Sequence, residues 1–410
     1  MRSRIFWSVV LLSLAAVTAV TVMLLKQPDV ETFLADHWSY PVPPQGNPPE
    51  TFSALEASLD PESCGQCHAA QYQQWRSSLH SHTMGPGIRW QLQLADADTA
   101  KSCLRCHAPM SEQLALLSQE RGWSKSSTLP PEYIPPDLHK QGLVCAACHL
   151  RSHTRYGPAA SNIGTGSGAE GEAGAHGGFV AHQAFEDSRF CANCHQFPET
   201  GSRINGKLHE DTYNQWRASR FAEQGKHCQS CHMPQRQHLW RGIHDKDMTR
   251  SALSVRLDIW QAVPGKLDVS AQVTNSGAGH HFPTYLVPEV VLHLEYVDAA
   301  GQVSELAQYI LAWRANLALT AEVFDQRLAA GQTVLISAEK YNAEAKGSIR
   351  LRVSVAPRQH YVRTFESYLK DNSENLKKET LALLRQAISE ARDMEYEYIA
   401  AQKSLLGIAN

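Results

Sequence analysis

The chain has 410 residues and a formal net charge of −3. At about 100 to 200 residues per domain it has room for two or three domains. Its slightly acidic balance excludes the basic face on which nucleic-acid binding depends, so no nucleic-acid partner is expected.

Arg2 and Arg4 precede "IFWSVVLLSLAAVTAVTVMLL", which runs from Ile5 to Leu25 without a charge before Lys26. About 20 apolar residues span a bilayer, whereas the apolar part of a secretory signal has only about 7 to 15. Residues 1–26 are therefore expected to form an N-terminal transmembrane helix, with Arg2 and Arg4 on the cytoplasmic side. The bulk of the protein is then held on the periplasmic side of the bacterial inner membrane. The alternative is cleavage after Val17-Thr18-Ala19, which would release a soluble periplasmic protein. Residues 27–60 include "YPVPPQGNPP" and read as a proline-rich tether.

All ten cysteines fall in residues 61–250, in five copies of one pattern: "CGQCH", "CLRCH", "CAACH", "CANCH" and "CQSCH". A disulfide framework gives no reason for a histidine after every second cysteine, and zinc ribbons do not come as five such sets. C-x-x-C-H is the attachment signature of c-type haem. Five covalently bound c-type haems are therefore expected, on Cys64 and Cys67, Cys103 and Cys106, Cys145 and Cys148, Cys191 and Cys194, and Cys228 and Cys231. Their proximal iron ligands would be His68, His107, His149, His195 and His232. The segment allows fewer than 40 residues for each motif, too few to enclose each porphyrin separately. The expected fold is thus a mainly α multihaem domain with little regular structure around stacked haems.

The sixth ligand on each iron decides between electron transfer and chemistry on a small molecule. The fifteen remaining histidines suffice for bis-histidine ligation throughout. Four stretches are suited to it by glycine or aromatic neighbours: "WRSSLHSHTMGPG" with His80, His82 and Met84; "AHGGF" with His176, and His182 nearby; "HLWRGIH" with His238 and His244; and "GAGHHFPT" with His280 and His281. Met110 and Met233 follow their motifs too closely to reach a distal face. Within this region "YQQWRSS" (72–78) and "YNQWRAS" (213–219) form a short internal repeat, expected as helices with Tyr72, Trp75, Tyr213 and Trp216 against haem. The glycine-rich stretch 157–178 reads as a loop.

From about residue 251 the pattern changes to alternation, in "LSVRLDIWQAV", "KLDVSAQVTN", "VVLHLEYVD", "QTVLISAEKY" and "SIRLRVSVA". Such runs between turns predict a β-sandwich-like domain over 251–360. C-terminal helices are expected over 361–410, with an amphipathic helix from about Glu374 that carries Leu376, Leu383, Ala387, Ala391, Met394 and Tyr398 at helical spacing.

The stretches "CGQCHAAQYQQWRSSLHS", "FCANCHQF", "YNQWRASRFAEQGKHCQSCHMP" and "HLWRGIHD" resemble the multihaem cytochrome c superfamily, which includes hydroxylamine oxidoreductase, pentahaem nitrite reductase and their tetrahaem electron-carrier relative. The resemblance covers roughly 60–250, and "GAGHHFPT" looks like a variant in which a trailing β-domain returns a histidine to a haem. It implies His80, His176, His238, His244 and His280 as distal ligands. The chain has no CxxCK, the mark of the nitrite-reductase catalytic haem, and fewer haem motifs than hydroxylamine oxidoreductase. The resemblance therefore implies an electron carrier with other redox proteins as donor and acceptor; the alternative is an oxidoreductase acting on a small nitrogen or sulfur compound at one five-coordinate haem.

Overall fold

The computed structural model describes residues 29–124, 130–159 and 175–407. The apolar run expected to span the membrane lies outside them, as does most of the glycine-rich loop. Among the described residues no helix is long and apolar enough to cross a membrane.

Between Pro61 and Ala252 the described helices are short, the longest being Ala97–His107 with 11 residues. Aspartates start them: Asp60 accepts from the Glu62 N–H at 3.1 Å, with Pro61 at the first helical position, and Asp96 accepts from the Thr99 N–H at 2.8 Å. The Cys145–His149 and Cys228–His232 motifs are single helical turns, and the "CLRCH" and "CANCH" motifs end longer helices. The i, i+3 spacing places both sulfurs of a motif on one face of the turn. Helix α1 (Pro86–Leu92) follows the first motif and is a support for the C-terminus.

Seven longer strands build the trailing domain: β1 (Leu253–Val263), β2 (Lys266–Asn275), β3 (Glu289–Val297), β4 (Val303–Leu311), β5 (Thr333–Tyr341), β6 (Ser348–Ala356) and β7 (Tyr396–Ser404). They pair antiparallel in two sheets, ordered β5–β2–β1 and β7–β6–β3–β4. Period-two alternation points Leu267, Val269, Ala271 and Val273 of β2 into one core with Leu292 and Leu294 of β3 and Leu351 and Val353 of β6. The expected sandwich is thus present, and the loop between β2 and β3 carries "GAGHHFPT".

The C-terminus departs from expectation. Helices α2 (Gln359–Asn372) and α3 (Lys378–Asp393) form, but the helix predicted to run through Tyr398 stops at Asp393, and residues 396–404 return as strand β7 beside β6. Leu383, Ala387 and Ala391 follow the helical period, whereas "EYEYIA" alternates: Tyr398 is buried and Glu397 turns outward to Arg352. Beside the open edge of β6 the period-two pattern prevails, because strand pairing satisfies both backbones at once. The stretch expected to be wholly helical therefore supplies the last strand of the sandwich. Helices α2 and α3 pack against α1, where Trp90 meets Phe365 edge-on at 5.2 Å over Leu384, Ala387 and Ile388.

His360, near the start of α2, joins helix and sandwich by donating its N–H to the Val287 carbonyl at 3.0 Å. Burial pushes its imidazole down to about 4, with help from the Arg363 charge. The unfolded chain, near 6.5, then binds a proton that the folded one refuses. Stability contributed here is constant above pH 6.5 and falls as pH drops toward 4. Urea unfolding between pH 6.5 and 4.5 is expected to show this slope, reduced by about one proton in His360→Gln.

Candidate haem centre

Four imidazole pairs face one another across the haem-motif region. His68 lies opposite His176 with ring centroids 6.5 Å apart, His80 opposite His195 at 6.4 Å, His149 opposite His238 at 6.1 Å, and His232 opposite His280 at 6.2 Å. An iron held by two opposed imidazoles, with metal–nitrogen bonds of about 2.0 Å, sets their ring centroids roughly 6.3 Å apart. Every pair joins one motif histidine to one of the five expected distal residues, in a pairing that the sequence leaves open.

The rings are also oriented for it. His149 Nδ1–H donates to the Tyr156 carbonyl at 2.7 Å, His232 to Arg241 at 2.6 Å, His280 to His281 at 2.8 Å, and His238 to Arg236 at 3.0 Å. His107 does the same to Thr83 at 2.7 Å. With Nδ1 engaged by a carbonyl, Nε2 is left with the lone pair that a metal takes. Burial pushes His80 down to about 3, and His238 and His280 to about 4, with neighbouring histidines adding to the effect. Each ring is thereby kept in the neutral form that ligates metal.

These features fit haem. Among the described residues no group of three or more His, Cys, Asp or Glu is spaced to hold a metal ion. A porphyrin supplies four equatorial nitrogens itself and asks the protein for one or two axial ligands and the paired cysteines. All ten cysteines are free, with Cys67 and Cys231 exposed and the other eight partly buried. Their side chains also link the motifs: Cys64 comes within hydrogen-bonding reach of Cys145, Cys106 of Cys194, and Cys191 of Cys228. These contacts join the first motif to the third and the second to the fourth and fifth, and Cys148 of the third lies in the electrostatic surroundings of Cys191 and Cys194 of the fourth.

Two expected ligands stand apart. No histidine ring among the described residues faces His107, and the charges nearest His244 are Asp245, Arg358 and His232. The competitors have other roles. His82 donates to the Ser78 carbonyl, and His182 stacks on Phe33 at 3.8 Å. Met84 is buried with Leu92 and Leu104, and Met110 with Leu59 and Trp75. His281 lies in the electrostatic surroundings of Arg327 and Asp325.

Sequence reasoning missed two neighbours of these rings. Trp240 stands edge-on to both His80, at 4.6 Å, and His238, at 5.2 Å, and Phe185 stacks on His149 at 5.4 Å. The tryptophan inside "HLWRGIH" was a legible signal; nothing in "QAFED" marked Phe185.

Comparison with known proteins gives a family match and a likeness of fold. The family described as "Cytochrome c554 and c-prime" matches residues 63–126. The fold is similar to that of a penta-heme cytochrome c552 from Thermochromatium tepidum, with a TM-score of 0.56 and 19% identity, over 85% of this chain and 99% of the other. No curated protein matches the sequence.

Proposed function

We propose that this chain, a multihaem c-type cytochrome by its motif match and its fold, carries five covalent haems and relays electrons between redox proteins on the periplasmic side of the bacterial inner membrane. The observation that carries the reading is the set of four opposed imidazole pairs. Haem iron so ligated supplies one-electron exchange between its ferric and ferrous states, and two imidazoles leave no position for a substrate. The protein's part is to hold both ligands in place, keep them neutral and exclude water. His68, His149, His195 and His232 serve as proximal ligands, with His176, His238, His80 and His280 opposite them in that order. The apolar N-terminal run would hold the relay at the membrane, and its cleavage would leave the same relay soluble.

Intact-mass measurement on protein matured in a host with c-type haem attachment tests the count. A mass equal to the polypeptide plus five haems is expected; four or fewer would overturn it.

A second reading is favoured by one observation, the lack of a ring opposite His107. The Thr83 carbonyl that orients His107 lies just before α1, whose Trp90 meets Phe365, and the Phe365 ring stacks on Tyr361 at 5.6 Å. Arg358 and Glu210 lie in the electrostatic surroundings of both Tyr361 and Tyr285, and Glu210 also in those of Cys106. On this reading Glu210, which shares the surroundings of Cys106, would supply protons near a five-coordinate haem on His107, which suits oxidation or reduction of a small nitrogen or sulfur compound.

A further inference from the structure

The repeated stretches "YQQWRSS" and "YNQWRAS" make the same contacts at two different haem motifs. In the first, the Trp75 indole N–H donates to the Leu143 carbonyl at 2.8 Å. In the second, the Trp216 indole donates to the Lys226 carbonyl at 2.9 Å. Leu143 stands two residues before Cys145, and Lys226 two residues before Cys228. Each tryptophan therefore holds the entry to one haem-attachment turn at the same point.

The residue before each tryptophan holds the opposite ligand. Gln74 Oε1 accepts the backbone N–H of His238 at 2.8 Å, and His238 faces His149 of the Cys145 motif. Gln215 Oε1 accepts the backbone N–H of His281 at 3.0 Å, the neighbour of His280, which faces His232 of the Cys228 motif. Gln215 also receives the Thr284 hydroxyl at 2.9 Å and donates to the Thr284 carbonyl at 3.2 Å, so it spans the whole "HHFPT" turn. A serine closes each unit, with Ser78 donating to the Trp75 carbonyl and Ser219 to the Trp216 carbonyl, both at 2.7 Å.

One short helix thus touches both sides of one imidazole pair, and does so twice. Neither chain distance nor partner type forces this. Trp75 follows His68 by seven residues and Trp216 follows His195 by 21; one distal loop belongs to the haem region and the other to the β-domain. Ordinary helix packing would not preserve two specific hydrogen bonds across such different surroundings.

We infer that the Gln-Trp pairs 74–75 and 215–216 are duplicated axial clamps, in which Trp positions the proximal motif and Gln positions the distal histidine of the same haem. This inference rests on haem occupying the His149–His238 and His232–His280 sites. The clamp makes distal ligation independent of the loop's own stiffness, since backbone N–H groups are fixed by a rigid helical side chain.

The test compares Gln74→Met, Gln215→Met and the double variant with the parent, all haem-loaded and oxidised, by electron paramagnetic resonance and by titration with cyanide. Each single methionine variant is expected to bind one further equivalent of cyanide at a concentration at least 10-fold below that needed to displace a distal ligand in the parent, and the double variant two. Gln74→Glu, which keeps the oxygen that accepts the His238 N–H, should behave as the parent. So should Gln73→Met, at the exposed neighbour that makes neither contact. Fully haem-loaded methionine variants with parental spectra and cyanide binding would overturn the clamp, as would a Gln73→Met variant that mimics them. Loss of haem from Gln74→Met is read in Gln74→Glu: recovery there supports the clamp, and failure there overturns it. A parent mass lacking the two haems would instead overturn the functional reading itself.

Discussion

Low-temperature electron paramagnetic resonance of the oxidised, haem-loaded protein is expected to show low-spin and high-spin ferric haem in a ratio of about four to one. Two imidazoles give a strong axial field and a low-spin iron; a single imidazole with an open or water-filled position gives a high-spin one. Four motif histidines have a second ring at the spacing that one iron demands, and among the described residues His107 has none. The exogenous ligand azide should therefore bind first at a single haem and convert the high-spin signal alone. His107 is otherwise built like the rest, with Nδ1 donating to a carbonyl at 2.7 Å, so it is the distal side that differs. Five low-spin signals would overturn this assignment and remove the second functional reading. If one of them were lost in His244→Ala, His244 would be the fifth distal ligand after all.

Gly277→Ala is expected to remove one low-spin signal and to lower stability by roughly 1 to 3 kcal/mol, the usual scale of overpacking. A Cβ at this position would lie 2.0 Å from the Ser251 carbonyl oxygen, 2.9 Å from its carbon and 3.0 Å from the Ala252 Cα. All three are backbone atoms, so no side chain can swing aside. The loop is also tied there, with the Ser276 and Gly277 N–H groups both donating to the Ala252 carbonyl at 3.0 Å. Relieving the clash needs a shift of about 1 Å, and a coordinate bond of about 2.0 Å does not tolerate one. His280, three residues on, would be carried away from His232. Gly87→Ala is the control: its Cβ would meet only the Phe365 ring, at 3.6 Å, an ordinary contact. Its spectrum should match the parent. An unchanged spectrum in Gly277→Ala would mean that the loop is not what holds His280.

Much of this was legible because cofactor attachment is a local matter. Two cysteines and a histidine within five residues define a haem site whatever surrounds them, so all five motifs could be read from the chain alone. Glycine and aromatic context likewise brought forward His80, His176, His238 and His280, the four histidines that face a motif histidine. Alternation marked the sandwich because one face of each strand must enter a core. It failed at Tyr396–Ser404, where a strong helical period just upstream concealed a strand whose partner edge, β6, lies more than 40 residues away.

Pairing was a different matter. Which distal ring meets which motif depends on separations from 48 to 115 residues, as in His232 with His280 and His80 with His195, and no local preference encodes such a choice. The same holds for the missing partner of His107 and for the contacts of Gln74 and Gln215, where the repeat was visible but its object was not. Sequence by itself determined how many C-x-x-C-H motifs the chain carries and where. Tertiary structure alone decided which motif histidines face a second imidazole and which, among the described residues, does not, because such a pair is set by a few ångströms of space between segments that the chain keeps far apart.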